Sequence, residues 1–360
     1  MNRITVILCG LLLVLASCGH KDPLPQPDVT IGKGVFVINE GNYTYANSSL
    51  TFYNPMMDTV ANNLFYRVNG APIGDVGQSL AMVDGSLYLV VNNSNYIYKV
   101  NANTIVCDTT QPYMITDFVQ PRYMLPVSPT KAYVSDLAST ELWIINPREM
   151  THTGTVSMGK STETMVQVGQ ELYVTNWSRA YIEGMENNTV QVVDLNNDVK
   201  VADITVGSEP KGMVVDKNGM VWVLCEGDSY DLAANVPSTL WQINPMTKAA
   251  TLVKTFEKSA LNLAINPSGN RLYLVYGGDW THGGDLHSID IANPTEFEAF
   301  TIPSEGRQFY GVFVNPENGE IYLSDAKNYT VNGTVYRYSN DGVLLSSFDA
   351  GICPGNMVFN

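Results

Sequence analysis

The sequence has few charged residues, and few basic residues in particular. Charged side chains make up 15% of the 360 residues, against about a quarter in an ordinary globular domain. The 20 Lys and Arg face 35 Asp and Glu, which leaves a formal charge of −15. Because duplex nucleic acid is held by cations that neutralise its phosphates, this balance argues against a nucleic-acid partner.

The sequence also lacks the short motifs that mark catalytic and cofactor sites. It contains no GxSxG, HExxH, CxxC or GxGxxG pattern. His282 lies near Asp279 and Asp285 in the chain, but this spacing matches no metal motif. We therefore predict a protein that is not an enzyme and that has no metal site and no bound cofactor.

The apolar run near the N-terminus, residues 6–16, is too short to span a bilayer as a helix. It suits the core of a signal peptide, and it ends in a bacterial lipobox whose last residue is Cys18. The sequence therefore predicts a lipoprotein signal peptide at 1–17, and a lipidated Cys18 with a proline-containing tether at 18–33. Only the lipid anchor would enter the membrane.

Cysteines are scarce in the remainder of the chain. Cys107, Cys225 and Cys353 are an odd number and form no CxxC or Cys/His cluster. A body of this length needs no disulfide to be stable, so the sequence favours free thiols.

A repeat runs through residues 34–360. An apolar–aromatic–apolar triplet occurs seven times, and no long helical periodicity separates the copies. The central aromatics, 40 to 52 residues apart, are Phe36, Tyr88, Tyr133, Tyr173, Trp222, Tyr273 and Tyr322.

Period-2 strands and tight turns surround each triplet, which gives about four strands per repeat. The first repeat lacks an innermost strand, and residues 355–360 resemble the missing one. The pattern predicts an all-β fold, a seven-bladed β-propeller at 34–360 that is closed by pairing of the C-terminal strand with the first blade. A two-domain β-sandwich is the alternative.

Two motifs carry a resemblance to known families. Residues 173–176 read YVTN, the tetrapeptide of the YVTN (YncE-like) β-propellers. Residues 39–43 (NEGNY), 47–53 (NSSLTFY) and 74–79 (GDVGQS) resemble a subgroup of Bacteroidota surface lipoproteins, the BtuG-like proteins. That resemblance implies a location on the outer-membrane surface, cobalamin or another corrinoid as ligand, and a TonB-dependent outer-membrane transporter as partner.

One face of the predicted propeller carries variable loops that are rich in aromatic and amide residues. A rigid scaffold with one diversified face is expected to bind ligands there, since aromatic side chains offer large contact areas and amides offer uncharged hydrogen bonds. The candidate ligand-binding residues are Tyr43, Tyr45, Asn92, Asn93, Tyr96, Trp177, Arg179, Tyr181, Tyr230, Asp279, Trp280, Phe309 and Tyr329.

The residues of this face alone do not select the ligand. Aromatic rings also stack on sugars, so an adhesin that binds a glycan or a protein is an alternative. Some propellers are lactonases with a polar set around the axis, and Glu163, Asn262 and Asn356 lie near innermost strands. A lactonase-like enzyme is therefore the third interpretation.

Overall fold

The structure is a computed structural model that describes residues 31–178, 187–227, 236–279 and 281–360. Its strands form seven four-stranded antiparallel sheets, which are the blades of a β-propeller. The predicted fold is confirmed.

Blade 1 consists of β28 (Pro354–Phe359), β1 (Val35–Asn39), β2 (Ser49–Asn54) and β3 (Thr59–Ala61), written from the inside outward. Blade 2 consists of β4 (Gly77–Val83), β5 (Ser86–Val91), β6 (Tyr96–Asn101) and β7 (Met114–Ile115). Blade 3 consists of β8 (Pro121–Ser128), β9 (Lys131–Asp136), β10 (Glu141–Asn146) and β11 (Thr151–Ser157). Blade 4 consists of β12 (Met165–Val168), β13 (Glu171–Thr175), β14 (Thr189–Asp194) and β15 (Val199–Thr205).

Blade 5 consists of β16 (Pro210–Val215), β17 (Val221–Cys225), β18 (Thr239–Ile243) and β19 (Ala250–Thr255). Blade 6 consists of β20 (Ala260–Ile265), β21 (Arg271–Tyr276), β22 (Asp285–Asp290) and β23 (Thr301–Ile302). Blade 7 consists of β24 (Phe309–Val314), β25 (Ile321–Asp325), β26 (Asn332–Tyr338) and β27 (Leu344–Ile352). A short helix, α1 (Leu64–Asn69), lies in the link between blades 1 and 2.

The repeated aromatic triplets form the second strand of every blade, and their central rings are buried. Neighbouring blades cover both faces of such a strand, which explains why it is apolar throughout instead of alternating. Some of the rings also tie one blade to the next by hydrogen bonds. The Tyr88 hydroxyl donates to the Pro147 carbonyl of blade 3 at 2.9 Å, and Lys248 of blade 5 donates to the Tyr173 hydroxyl at 3.0 Å.

The last strand closes the ring, as the sequence predicted. β28 pairs antiparallel with β1, with Val35 opposite Phe359 and Val37 opposite Met357. The innermost strands of consecutive blades contact one another around the axis, including β24 with β28 and β28 with β4. Without β28 one edge of β1 would be unpaired, and an exposed strand edge is a common site of aggregation.

The three cysteines of the propeller are free thiols, with Cys225 and Cys353 buried and Cys107 half-buried. No helix among the described residues is long and apolar enough to cross a membrane.

Candidate functional site

An open cavity of about 660 Å³ lies where the seven blades meet, on the face that carries the variable loops. We call it the axial cavity. All seven blades contribute to its lining, for example Tyr43 from blade 1, Trp177 from blade 4 and Lys211 from blade 5. Because only the central axis is shared by every blade, the cavity is a property of the ring as a whole.

Most polar side chains that line the axial cavity lie where the strand pairing is irregular, at the start of the innermost strands. In blades 2, 3, 5, 6 and 7 the pairing register shifts within the first residues of the strand. Such β-bulges turn a side chain away from its regular position, and they often occur beside functional sites. The bulged residues that line the axial cavity are Gln78, Arg122, Tyr123, Lys211, Asn262 and Tyr310.

Arg122 is the centre of a buried polar network. Its Nε and Nη2 atoms donate to the two carboxylate oxygens of Glu163 at 2.8 and 2.7 Å, and its Nη1 atom donates to the Gln78 side chain. Burial works to lower the pKa of Arg122, but the Glu163 carboxylate raises it above the ordinary value. The guanidinium is therefore held as a fixed, fully charged group.

Trp177 is packed against two cations. Lys211 Nζ lies 4.7 Å from the centre of the indole ring, and Arg122 Cζ lies 5.6 Å from it. Both distances suit cation–π attraction. Lys211 Nζ also lies 3.5 Å from the Glu226 carboxylate. Burial raises the pKa of Glu226, and the neighbouring ammonium partly opposes that shift.

Glu40 and Tyr310 form the opposite wall. The Tyr310 hydroxyl donates to Glu40 Oε2 at 2.8 Å. Burial raises the pKa of Glu40 above its ordinary value, and the hydrogen bond from Tyr310 acts against that shift. A Cβ atom at Gly355 would clash with the Glu40 carboxyl group, so a larger residue there would displace this side chain.

A second cavity of about 390 Å³ adjoins the first, between blades 5, 6 and 7. We call it the lateral lobe. It shares Lys211, Asn262, Tyr310 and Tyr329 with the axial cavity. The rings of Tyr310 and Tyr329 meet edge to face, with centroids 5.8 Å apart at 79°. This tyrosine pair therefore borders both cavities.

The structure brings only some of the predicted site residues together. Tyr43, Asn92, Trp177 and Tyr329 line the axial cavity, and Asp279, Phe309 and Tyr329 line the lateral lobe. The predicted residues Cys18, Arg179, Tyr181, Tyr230 and Trp280 lie outside the described residues.

Three predicted residues lie apart from both cavities. Tyr45 is 73% exposed in the loop between β1 and β2. Asn93 donates from its side chain to Asp75 at 2.6 Å, and the Tyr96 hydroxyl donates to the Ile73 carbonyl at 2.7 Å. Asn93 and Tyr96 therefore fix the local loop structure. Asn92 lines the axial cavity and also fixes the backbone, since its side-chain amide donates to the Pro121 carbonyl at 3.1 Å.

The candidate residues do not include the charged part of the site. Five charged residues in and beside the axial cavity are absent from that set. They are Arg122, Glu163, Lys211, Glu226 and Glu40. A signal existed in the repeat. The second residue of the innermost strand is Gln78 in blade 2, Arg122 in blade 3, Lys211 in blade 5 and Tyr310 in blade 7, so a polar residue recurs at this position although its identity changes.

The arrangement is suited to holding a ligand that has apolar faces and polar edges. Aromatic rings, amides and internally paired charges surround a solvent-open space. Among the residues that the structure describes, no group of three or more His, Cys, Asp or Glu side chains is placed to hold a metal ion.

Several solved structures share the fold. A quinonprotein alcohol dehydrogenase-like protein from Bacteroides thetaiotaomicron matches with a TM-score of 0.71 at 15% identity, over 92% of this chain and 79% of that chain. A protein from Lactobacillus plantarum gives a TM-score of 0.64 at 13% identity, over 91% of this chain and 99% of that one. A provisionally assigned 6-phosphogluconolactonase from Bacteroides uniformis gives a TM-score of 0.62 at 11% identity, over 91% and 99%. At these identities the likeness concerns the fold alone.

Sequence comparison is more specific about the family. No curated protein matches the chain. The profile described as "Domain of unknown function (DUF5074)" matches residues 33–359, which include every strand of the propeller. The chain therefore belongs to the DUF5074 family.

Proposed function

We propose that this chain is an outer-membrane surface lipoprotein that binds cobalamin or a related corrinoid at the axial cavity and passes it to a TonB-dependent transporter. One observation carries the proposal. Residues 40–43, Val76 and Gln78 line the cavity, and all of them belong to the motifs that resemble the BtuG-like lipoproteins. Two of the three motifs behind the resemblance thus contribute to one site, whereas the third, residues 47–53, lies in and beside β2.

The chemistry of the lining supports the same ligand class. A corrinoid is a broad and largely apolar macrocycle with amides around its edge. Tyr43, Tyr123 and Trp177 supply aromatic surface, while Gln78 and Asn262 supply amides. A volume of about 660 Å³ is within the usual range for small-molecule sites. Since the macrocycle is wide, we place it across the mouth of the cavity, where Tyr43 is 65% exposed.

The proposed mechanism is capture and release without bond chemistry. Apolar contact with aromatic rings is non-directional, so it tolerates small shifts of the ligand. The paired charges of the axial cavity add fixed hydrogen-bonding groups. Ligand binding costs little side-chain entropy there, because Arg122 is already held by Glu163 and Gln78. The lipid at Cys18 would keep the propeller on the outer membrane beside its transporter.

Calorimetric titration of the propeller, residues 31–360, with cyanocobalamin tests the proposal. We expect saturable binding, and we expect Tyr43→Ala to weaken it about fivefold, since a lost aromatic contact costs about 1 kcal/mol. Tyr45→Ala is the matched control, because Tyr45 belongs to the same loop but lies outside both cavities. Trp177→Ala should cost more, about 1–3 kcal/mol of binding free energy.

Absence of heat with micromolar cyanocobalamin would remove the corrinoid proposal. Equal losses of corrinoid affinity in the Tyr43→Ala and Tyr45→Ala variants would mean that the binding site is not the axial cavity. The transporter partnership is tested separately, by measuring whether purified transporter accelerates release of bound corrinoid. Heat from oligosaccharides instead of corrinoids would favour the glycan-binding alternative.

A second candidate is an acid–base enzyme that uses Glu40 of the axial cavity and Glu226 of the adjoining lateral lobe. Burial raises the pKa of both Glu40 and Glu226, which suits carboxyls that donate and accept protons. One structural neighbour is provisionally assigned as a 6-phosphogluconolactonase. Hydrolysis of 6-phosphogluconolactone by the wild type, lost in Glu40→Gln and Glu226→Gln, would support this function. No rate above the uncatalysed one would exclude that substrate.

A further inference from the structure

The lateral lobe differs from the axial cavity in its chemistry. Its lining includes Leu261, Phe309 and the tyrosine pair Tyr310 and Tyr329. Phe309 is almost fully buried and belongs to the apolar core between blades 6 and 7. The lobe is therefore an apolar recess that opens off a polar cavity, and it suits a flat group with few polar atoms.

The far wall of the lobe is a glycine-containing loop that is fixed from both sides. The Ser259 hydroxyl donates to the Gly278 carbonyl, and the Gln308 side chain donates to the Asp279 carbonyl at 2.7 Å. The amide of Gly277 donates to the Ser259 carbonyl at 2.9 Å. Because the wall is held by its own hydrogen bonds, the recess is pre-formed and a ligand need not order it.

Lys258 supplies an uncompensated charge at the rim. Lys211 and Glu226 form an ion pair, and the Asp279 carboxylate lies 3.3 Å from His282 Nδ1 and accepts hydrogen bonds from Thr281. Lys258 is exposed and has no ion-pair partner in the described ranges of the chain. An apolar recess beside one available ammonium matches a flat ring that is joined to a phosphate.

We infer that the lateral lobe binds the nucleotide tail of the corrinoid, with the heteroaromatic base in the recess and the phosphodiester beside Lys258. This inference rests on the proposed corrinoid function and deepens it. The macrocycle lies over the axial cavity, and the tyrosine pair that borders both cavities contacts both parts of the ligand. Corrinoids with different bases, or with none, are then distinguished by the lobe.

The test compares cyanocobalamin with dicyanocobinamide, which has the macrocycle but no nucleotide. Calorimetry on residues 31–360 should give tighter binding of cyanocobalamin. Lys258→Gln should weaken cyanocobalamin about 2–5-fold, the range for one exposed charge pair, and leave dicyanocobinamide unchanged. Lys217→Gln is the matched control, since Lys217 is also exposed but lies in the turn between β16 and β17 on the opposite face.

Filling the recess gives a larger effect. Leu261→Trp should weaken cyanocobalamin about tenfold or more, because the base loses its space, while dicyanocobinamide keeps its affinity. Circular dichroism checks that this variant is folded. If Leu261→Trp is not folded, the result for Lys258→Gln alone decides the test, since Lys258 is exposed and its substitution does not disturb the core.

Two failures are distinguishable. If the wild type binds both corrinoids but the variants weaken both equally, or weaken neither, the nucleotide does not occupy the lobe and the inference is wrong while the proposed function stands. If the wild type binds neither corrinoid, the proposed function fails and the inference fails with it.

Discussion

The Arg122–Glu163 pair permits a quantitative test of how the centre of the propeller is stabilised. It is the most buried ion pair among the described residues, with side-chain exposures of 10% for Arg122 and 1% for Glu163. Arg122→Met removes the two hydrogen bonds to Glu163 and the one to Gln78, and it leaves the Glu163 carboxylate buried without its paired guanidinium. Breaking a buried pair in this way costs about 3–5 kcal/mol. For a propeller of about 330 residues this corresponds to a fall in Tm of about 4–7 °C.

The measurement is urea unfolding of residues 31–360 at pH 7, followed by near-ultraviolet circular dichroism. The double variant Arg122→Met, Glu163→Met removes both charges, and it should lose less stability than Arg122→Met alone. Apolar replacement of a whole buried pair is often neutral or stabilising, because neither ion then has to be desolvated. The cycle should give a coupling free energy of about 2 kcal/mol or more.

A loss below 1 kcal/mol for Arg122→Met would contradict this reasoning. So would a double variant whose loss equals the sum of the two single losses. Either result would mean that water in the axial cavity hydrates Glu163 well enough to replace the guanidinium. Glu163→Gln serves as a milder comparison, since its amide oxygen still accepts one hydrogen bond from Arg122.

Three further outcomes are expected. Because burial raises the pKa of Glu40 above its ordinary 4.5, folding favours the protonated form of this carboxyl. The resulting stabilisation is complete below pH 4.5 and is lost as the pH rises through the raised pKa. In urea unfolding, Glu40→Gln should therefore be more stable than the wild type at pH 7.5 but not at pH 4.5. Deletion of residues 354–360 removes the strand that pairs with β1, so the truncated chain should lose its cooperative thermal transition in calorimetry. Burial raises the pKa of the three thiols to about 11 or 12, so they should react with Ellman's reagent at pH 7.5 only after unfolding in urea; rapid reaction of the native protein would contradict this. The thiols are Cys107, Cys225 and Cys353.

The blades were predictable because burial imposes a local pattern. A second strand such as β5 is covered on both faces by neighbouring blades, so Leu87-Tyr88-Leu89 is apolar without alternation. Ring closure was predictable because the first repeat lacked one strand and the chain ended with a similar one. Both features depend on short segments, which a single sequence displays directly.

The site was less predictable because its contacts are between distant repeats. Arg122 and Glu163 are 41 residues apart, and Tyr310 and Glu40 are 270 residues apart. The repeat predicts the ring, but their meeting also depends on bulges at the strand starts, which the repeat pattern does not show. Tyr96 shows the opposite error, in which a predicted ligand-binding residue has a structural role. Its hydroxyl donates to the Ile73 carbonyl instead of facing a cavity.

The position of the lining residues restricts how any bound ligand could be transferred. Every described residue that lines the axial cavity comes from a variable loop, an inter-blade link or the start of an innermost strand, as Tyr43, Val76 and Lys211 illustrate. Among these lining residues none belongs to a turn of the opposite face, such as residues 84–85. A ligand therefore enters and leaves by the same face. If the chain transfers a corrinoid, the acceptor has to approach the loops that hold the ligand, so residues such as Tyr43 would serve both capture and docking. Substitutions there should then alter affinity and transfer together, whereas substitutions in the opposite turns should alter neither.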